Sequence, residues 1–312
     1  MPGAPALLIA NPGAGRGRTR RLAPLLARAL AARYLEVDLR FTRDGDDAAH
    51  IVRAAVAAGC DRVVVAGGDG TINSVVGALA HTPVALGVIP TGMANAFARE
   101  LRIPRAWRRA CDLAAGWRRR VIDVARAGDR HFALMAGIGF DAQVVARVNP
   151  AIKRWLGPAA FVLAGLGCMR RCQPARVCLR WDGGEFDRPA FVVAVANGAH
   201  YTYEWRLAPD ARLDDGLLDV VVFGWHGWLD PAAHVVGALV GTHLRRPGVT
   251  ALRTRRLRIE CDPPLPLHLD GDAAGVSPVE VEILPEALTV LAPAPPAATR
   301  AARHCEVARH DS

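Results

Sequence analysis

Asp69 stands inside Gly67-Gly68-Asp69-Gly70-Thr71-Ile72-Asn73, directly after the apolar run Val63-Val64-Val65-Ala66. Glycines there let the backbone turn sharply and bring its N–H groups close to an anion. A helix opening just after the loop would add partial positive charge at the same place. A lone carboxylate in such a cradle would repel phosphate unless Mg²⁺ or a transferable proton lay between them, so the residue types suggest nucleotide chemistry with a metal. Taken alone, the same tetrapeptide is equally a turn, since Asp-Gly pairs are common in hairpins. Asp270-Gly271-Asp272, near the other end of the chain, reads by itself as an ordinary β-turn.

The elements that would carry the first loop alternate. Short apolar strands are predicted at 6–10, 36–41, 61–66 and 84–89, with helices between them at 19–33, 46–58, 72–80 and 94–101. Strand alternating with helix predicts a parallel sheet with helices on its faces, and such sheets bind ligands beyond the carboxyl ends of their strands. Residues 11–18, 42–46, 67–71 and 90–95 lie at those ends. The first of these, Asn11-Pro12-Gly13-Ala14-Gly15-Arg16-Gly17-Arg18, is itself glycine-rich but is no Walker loop, because no Lys-Ser or Lys-Thr pair follows.

After residue 120 the pattern turns to antiparallel β. Hairpins are predicted over 121–136, turning at 127–130, and over 177–196, turning at 182–184. Further strands are expected at 218–223, 252–260, 265–269, 279–284 and 288–291. The expected organisation is an α/β nucleotide-binding unit at 1–120, a β-rich unit at 121–292 and a disordered Pro/Ala/Arg/His tail at 293–312. No internal repeat is visible.

Composition narrows the setting. The chain has 312 residues, is 51% hydrophobic and 22% charged, and carries a net charge of +9, as a two-domain globular protein can. Such charge suits an anionic membrane surface or nucleic acid, but Lys153 is the only lysine, so the arginine excess reads first as a compositional bias, and no nucleic-acid partner is expected. Seven scattered cysteines and a start without a basic leader fit a reduced cytosol. Cys168 and Cys172 lack the partners of a zinc set. No apolar stretch reaches the ~20 residues of a membrane span; the nearest, 155–169, is broken by Gly157, Pro158, Gly165 and Gly167 and reads as a core helix or an interfacial one.

Six segments together, 10–15, 67–73, Ile89-Pro90-Thr91-Gly92-Met93-Ala94-Asn95-Ala96-Phe97-Ala98-Arg99-Glu100-Leu101, 137–142, 208–220 and 269–272, resemble the diacylglycerol kinase catalytic family, which includes sphingosine and ceramide kinases and bacterial lipid kinases. The resemblance spans about residues 6–292. It implies a parallel-sheet nucleotide-binding domain followed by a mainly antiparallel β-sandwich domain, as in NAD kinase and diacylglycerol kinase. It also implies an ATP- and Mg²⁺-dependent lipid kinase, cytoplasmic or peripheral at the inner face of a membrane. The nucleotide would contact Asn11, Pro12, Gly13, Ala14, Gly15, Thr42, Gly67, Gly68, Asp69, Gly70, Thr71, Ile72, Asn73 and Asn95. Asp69 would organise metal and phosphate, and Asp272 would accept the proton of the attacking hydroxyl. A structural Mg²⁺ would take Asp215 and the carbonyls of Arg212 and Leu217, hard oxygen ligands of the kind Mg²⁺ requires.

The chain departs from the family pattern at Met93, where Thr is usual, at Ala96, where many members carry Asp, at residues 201–205, which replace a glycine-rich stretch, and at Asp272, where Glu is usual. Two rivals follow: a NAD kinase or phosphofructokinase relative sharing the Gly-Gly-Asp-Gly loop, and a non-catalytic lipid-binding protein on the same scaffold. The arginines at 99, 102, 105, 108, 109 and 118–120 read either as a membrane-facing run or as a solvated helix face.

Overall fold

The structure is a computed structural model and describes residues 6–33, 36–43, 47–116, 118–147, 173–202, 205–225, 227 and 230–294. The 155–169 stretch, Cys168, Cys172 and the tail from residue 295 lie outside the described residues.

The first third is built of β1 (Ala6–Ala10), α1 (Arg18–Ala31), β2 (Val37–Phe41), α2 (Asp47–Ala57), β3 (Arg62–Gly67), α3 (Asp69–Leu79), β4 (Ala85–Pro90), α4 (Ala96–Glu100) and α5 (Trp107–Ala115). Its strands pair in parallel in the order β2-β1-β3-β4, with Ala10 opposite both Phe41 and Ala66, and Gly67 opposite Pro90. β1, β3 and β4 are buried along their whole length. That is why their sequences are continuous apolar runs, as strands covered on both faces must be.

Helix α3 begins at Asp69, three residues before the start predicted from sequence, with Gly68 as its N-cap in an extended conformation (φ −105°). The supposed loop is therefore one residue long. Asp69, Gly70 and Thr71 form the first helical turn, where a carboxylate is favoured by the helix dipole.

The second part comprises β5 (Arg119–Ala127), β6 (Arg130–Phe132), β7 (Met135–Gly139), α6 (Phe140–Arg147), β8 (Ala175–Trp181), β9 (Gly184–Ala196), β10 (His200–Thr202), β11 (Trp205–Arg206), β12 (Leu218–Gly224), α7 (Asp230–Leu239), β13 (Val249–Thr254), β14 (Arg256–Asp262), β15 (Pro266–Leu269), β16 (Asp272–Val276) and β17 (Val279–Leu291). The predicted hairpins are present as β5-β6 and β8-β9. The predicted strand 252–260 is instead two strands. The chain breaks at Arg255, where the Thr254 hydroxyl bonds the backbone of Arg256, so β13 pairs with β12 while β14 pairs with β8 and β17. The strands predicted at 279–284 and 288–291 are one, β17, carrying a bulge between Leu284 and Leu288 with Glu286 at φ 52°.

β17 links the two regions. It runs antiparallel to β5 and β14 and meets β4 in parallel through Val290 and Leu86. Two apolar clusters follow this layout. One includes Leu8, Ile9, Val64, Val76 and Leu86, packed around the parallel sheet. The other, with Val177, Leu179, Val193, Val220, Leu257 and Ile259, fills the β-rich part. Arg62, fully buried, ties α5 down by donating to the carbonyls of Ala114, Ala115 and Gly116 at 3.1–3.2 Å. Burial, and after it Arg119, lowers its pKa to about 10.

Candidate functional site

Three strand ends meet through their glycines. The Asn11 amide N–H donates to Ala66 O, and its side chain donates to Thr71 Oγ1 at 2.9 Å while accepting from Gly13 N–H. These bonds hold Pro12 to Gly15 beside the start of α3. Thr91 and Gly92 both donate to Gly67 O, and the Thr19 hydroxyl reaches Thr91 Oγ1 at 2.7 Å. The approach is close enough to exclude side chains. A Cβ on Gly92 would lie 2.6 Å from Gly68 Cα, and one on Gly15, at φ +59°, would lie 2.2 Å from Thr91 O. Thr42, buried at the end of β2, donates its N–H to Ala10 O beside them.

The N-termini of α1 and α3 converge on this edge, and α1 carries no acidic residue in its first turn. Such an edge favours anions. Two buried side-chain oxygens there, Oδ1 of Asn73 and Oδ1 of Asn95, have no hydrogen-bond partner among the described residues. An unsatisfied buried polar atom is costly, and both of these oxygens are closed off from the surface. The glycine cradle and the two helix N-termini fit the phosphates of a nucleotide.

Asp69 closes the cradle from below. Its Oδ1 accepts the N–H of Phe97 at 3.2 Å, and the amides of Asn95 and Ala96 face it as well. Asn95 is left-handed (φ 52°) and anchored by its side chain to Gly92 O. The carboxylate of Asp69 thus caps α4 and joins the loops after β3 and β4. Desolvation raises its pKa, and those amides work against the rise.

The β15-β16 hairpin brings the last motif to the same place. Its two-residue turn has positive φ at both Asp270 (49°) and Gly271 (88°), the backbone pattern of a type I′ turn. Asp270 turns inward. Its Oδ1 accepts from Leu134 and Met135 N–H, at 3.0 and 2.8 Å, and its Oδ2 from Ala133 N–H at 2.7 Å. Desolvation pushes its pKa up to about 6, opposed by these amides and assisted by the nearby charge of Asp69. Three hydrogen bonds from backbone amides hold a non-glycine residue in a left-handed conformation that costs roughly 1–2 kcal/mol. Asp272 is left on the outer side, exposed, with its carboxylate against Gly70. The two oxygens lie 3.6 and 3.8 Å from the point a Cβ on residue 70 would occupy.

Beneath the turn, buried His268 accepts the Gly271 N–H on Nδ1 (3.2 Å) and faces Asp141 Oδ2 through Nε2 (3.1 Å). Gly137 makes room for this pair, since a Cβ there would stand 2.0 Å from Asp141 Oδ2 and 2.3 Å from His268 Nε2.

The segment expected to hold a structural Mg²⁺ is organised by different residues. Buried Asp123 accepts Gly216 N–H (2.7 Å) and Glu286 N–H (2.8 Å), and its own N–H donates to Leu213 O. Asp215 accepts the Leu217 N–H and is ion-paired with Arg253, which also reaches Asp219 at 3.1 Å. Asp214 is held by Arg120 and Arg212 at 3.0 and 3.2 Å. Arg253 is thus shared between Asp215 and Asp219, while Asp219 Oδ2 is buried without a hydrogen-bond partner among the described residues and desolvation pushes that carboxyl's pKa up to about 6. A cation bound by Asp215 with the Arg212 and Leu217 carbonyls would compete with Arg253 for Asp215. No cluster of three His, Cys, Asp or Glu among the described residues is placed to hold a metal.

Asp123, His268 and Asp270 had no assigned role in the sequence reading. The usable signal was slight: a carboxylate in the apolar strand 121–125, and a histidine on the inward phase of 265–269.

Two family models match the chain: the diacylglycerol kinase catalytic domain over residues 5–127, and the YegS C-terminal NAD kinase beta sandwich-like domain over residues 135–292. Among curated proteins the chain is 34% identical over 259 residues to one named probable lipid kinase YegS-like from Chromohalobacter salexigens, covering 82% of this chain and 83% of that one. It is 32% identical to a diacylglycerol kinase of Bacillus subtilis, covering 88% and 92% respectively. Among solved structures, a candidate diacylglycerol kinase from Bacillus anthracis superposes with a TM-score of 0.82 at 25% identity, over 94% of this chain and 96% of that one.

Proposed function

The chain belongs to the diacylglycerol kinase catalytic family, and from that premise we propose that it is an ATP-dependent lipid kinase transferring the γ-phosphoryl group to a hydroxyl of diacylglycerol or a related lipid. The observation that carries the reading is the carboxylate of Asp272 set against Gly70 at the mouth of the glycine cradle. Residues 1–120 take the nucleotide in this reading, and 121–292 take the lipid.

Asn11 to Gly15, Thr42, Gly67 to Asn73 and Asn95 bind and orient the triphosphate, chiefly through backbone amides. Mg²⁺ accompanying the nucleotide would screen the phosphate oxygens from Asp69. The acceptor hydroxyl forms its new O–P bond at the γ-phosphorus, the bond to the β–γ bridging oxygen breaks, and ADP leaves. Asp272 takes the hydroxyl proton. Positioning and electrostatics account for most of catalysis in such transfers, so a preformed cradle and one well-set carboxylate can suffice. Exposed Arg102, Arg105, Arg108 and Arg109 support transient contact with an anionic membrane, each contributing about 1 kcal/mol near such a surface.

The test is incubation of the purified protein with labelled ATP, Mg²⁺ and a mixed lipid extract. A labelled phospholipid that disappears with Asp272→Asn is the expected result. Absence of ATP binding would overturn the reading. NADP formation without lipid product would favour the NAD kinase-like rival that shares the Gly-Gly-Asp-Gly loop.

A further inference from the structure

The turn that presents Asp272 needs a hydrogen-bond acceptor beneath it. Gly271 N–H points at His268 Nδ1 from 3.2 Å. A backbone N–H can only donate, so Nδ1 must carry its lone pair there, and the neutral ring's proton must sit on Nε2. That proton then points at Asp141 Oδ2, 3.1 Å away, and the carboxylate holds the tautomer as a metal-binding or catalytic histidine is held by its outer partner. The space for the pair is reserved by Gly137, the cross-strand neighbour of His268. The Tyr201 ring flanks the imidazole with centroids 6.2 Å apart. Its phenol, pushed well above its usual pKa by burial and by Asp141, stays neutral.

We infer that His268, locked by Asp141 in its Nε2–H tautomer, is a positioning residue that fixes the Asp270-Gly271 turn and so aims the Asp272 carboxylate. The inference rests on the reading of Asp272 as proton acceptor. It assigns a function to the Asp141–His268 pair without placing either residue on the substrate.

Two substitutions separate the bonds of the ring. In His268→Asn the amide oxygen can stand where Nδ1 stands, which keeps the acceptor for Gly271 N–H and loses the contact with Asp141. In His268→Gln the amide nitrogen can stand where Nε2 stands, which keeps Asp141 and leaves Gly271 N–H unpaired. The expected result is that Asn keeps kcat for lipid phosphorylation within about threefold. Gln should lower kcat on the order of 10- to 100-fold with the KM for ATP unchanged, the size of effect that misplacement of a reacting group produces. A general structural role would lower both variants together and shift KM. Equal kcat for Gln and wild type, or a Gln variant faster than the Asn variant, overturns the inference.

A second measurement does not depend on activity or on the folding of any variant. Long-range proton–nitrogen spectra of the wild-type protein at neutral pH should show the His268 proton on Nε2, and the Gly271 amide should exchange slowly. A proton on Nδ1 overturns the inference even if the protein is an active lipid kinase. The Nε2–H tautomer in a protein that phosphorylates no lipid leaves the turn device standing and removes the function proposed above.

Discussion

The carboxylate of Asp272 faces Gly70, its nearer oxygen 3.6 Å from where a Cβ at that position would stand, so that β16 of the second half approaches the first turn of α3 where the glycine cradle opens. A methyl group at position 70 would meet the carboxylate at ordinary contact distance, 3.6 Å. Gly70→Ala should therefore fold, and with Ala favoured over Gly in helices by about 0.5–1 kcal/mol its melting temperature should not fall. The added methyl group occupies the space between carboxylate and cradle, so kcat should drop at least tenfold. Thermal melts and steady-state kinetics on the same preparation check both halves.

Removing the charge at Asp272 and lengthening its side chain should have opposite outcomes. Asp272→Asn leaves an amide that cannot take a proton, with an expected loss of 10²- to 10⁴-fold in kcat. Asp272→Glu keeps the carboxylate and should retain or raise the rate. Equal activity of wild type and the Asn variant would exclude Asp272 as the base.

Asp69→Asn separates capping from charge. The amide oxygen can still accept the Phe97 N–H, so circular dichroism and melting temperature should change little, whereas lipid phosphorylation should fall by more than tenfold. Unchanged turnover would show that Asp69 serves only to join its two loops.

Asp270 makes stability depend on pH in an unusual direction for a carboxylate. Its folded pKa, about 6, lies above the unfolded value, so its contribution is fully present below about pH 4 and is lost as pH rises through 6. The whole effect is at most roughly 3 kcal/mol. Denaturant titrations at pH 5 and 7.5 should show wild type gaining on Asp270→Asn toward the lower pH.

Arg253 bears on the expected structural metal. With the guanidinium paired to Asp215 and Asp219, chelation by EDTA should leave the melting temperature of the wild type unchanged. Arg253→Met should lower stability by roughly 1 kcal/mol, allowing for solvent screening of a partly exposed group, and should make it respond to added Mg²⁺. A wild type that melts earlier in EDTA would restore the metal to this loop.

The parallel strands and the helices between them in the first half, α5 excepted, were readable because each is a local pattern: an apolar run, a glycine cluster, then an amphipathic stretch. The start of α3 was misplaced because Gly67 to Gly70 carry glycine's signal for a turn, while the amides that hold the Asp69 carboxylate at the helix start come from Asn95 to Phe97. The roles of His268 and Asp270 could not be read for the same reason, their partners being Asp141 and residues 133–135, more than a hundred positions away in the chain. Arg253 could not be linked to Asp215 until β13 was seen opposite β12, with Arg253 directly across from Asp219. Sequence motifs marked where chemistry was to be sought, and long-range pairing determined where each carboxylate stands.

The final strand has a consequence for how the protein is made. β4 has a free parallel edge until β17 reaches it through Val290, so during synthesis the nucleotide-binding sheet waits, one side uncovered, for nearly two hundred further residues. An unpaired edge of that kind invites mispairing with other chains. A truncated gene product ending before β17 should accordingly accumulate as aggregates rather than as a separate ATP-binding fragment, and expression of the first half should succeed only when the last strand is supplied, in the same chain or as a peptide.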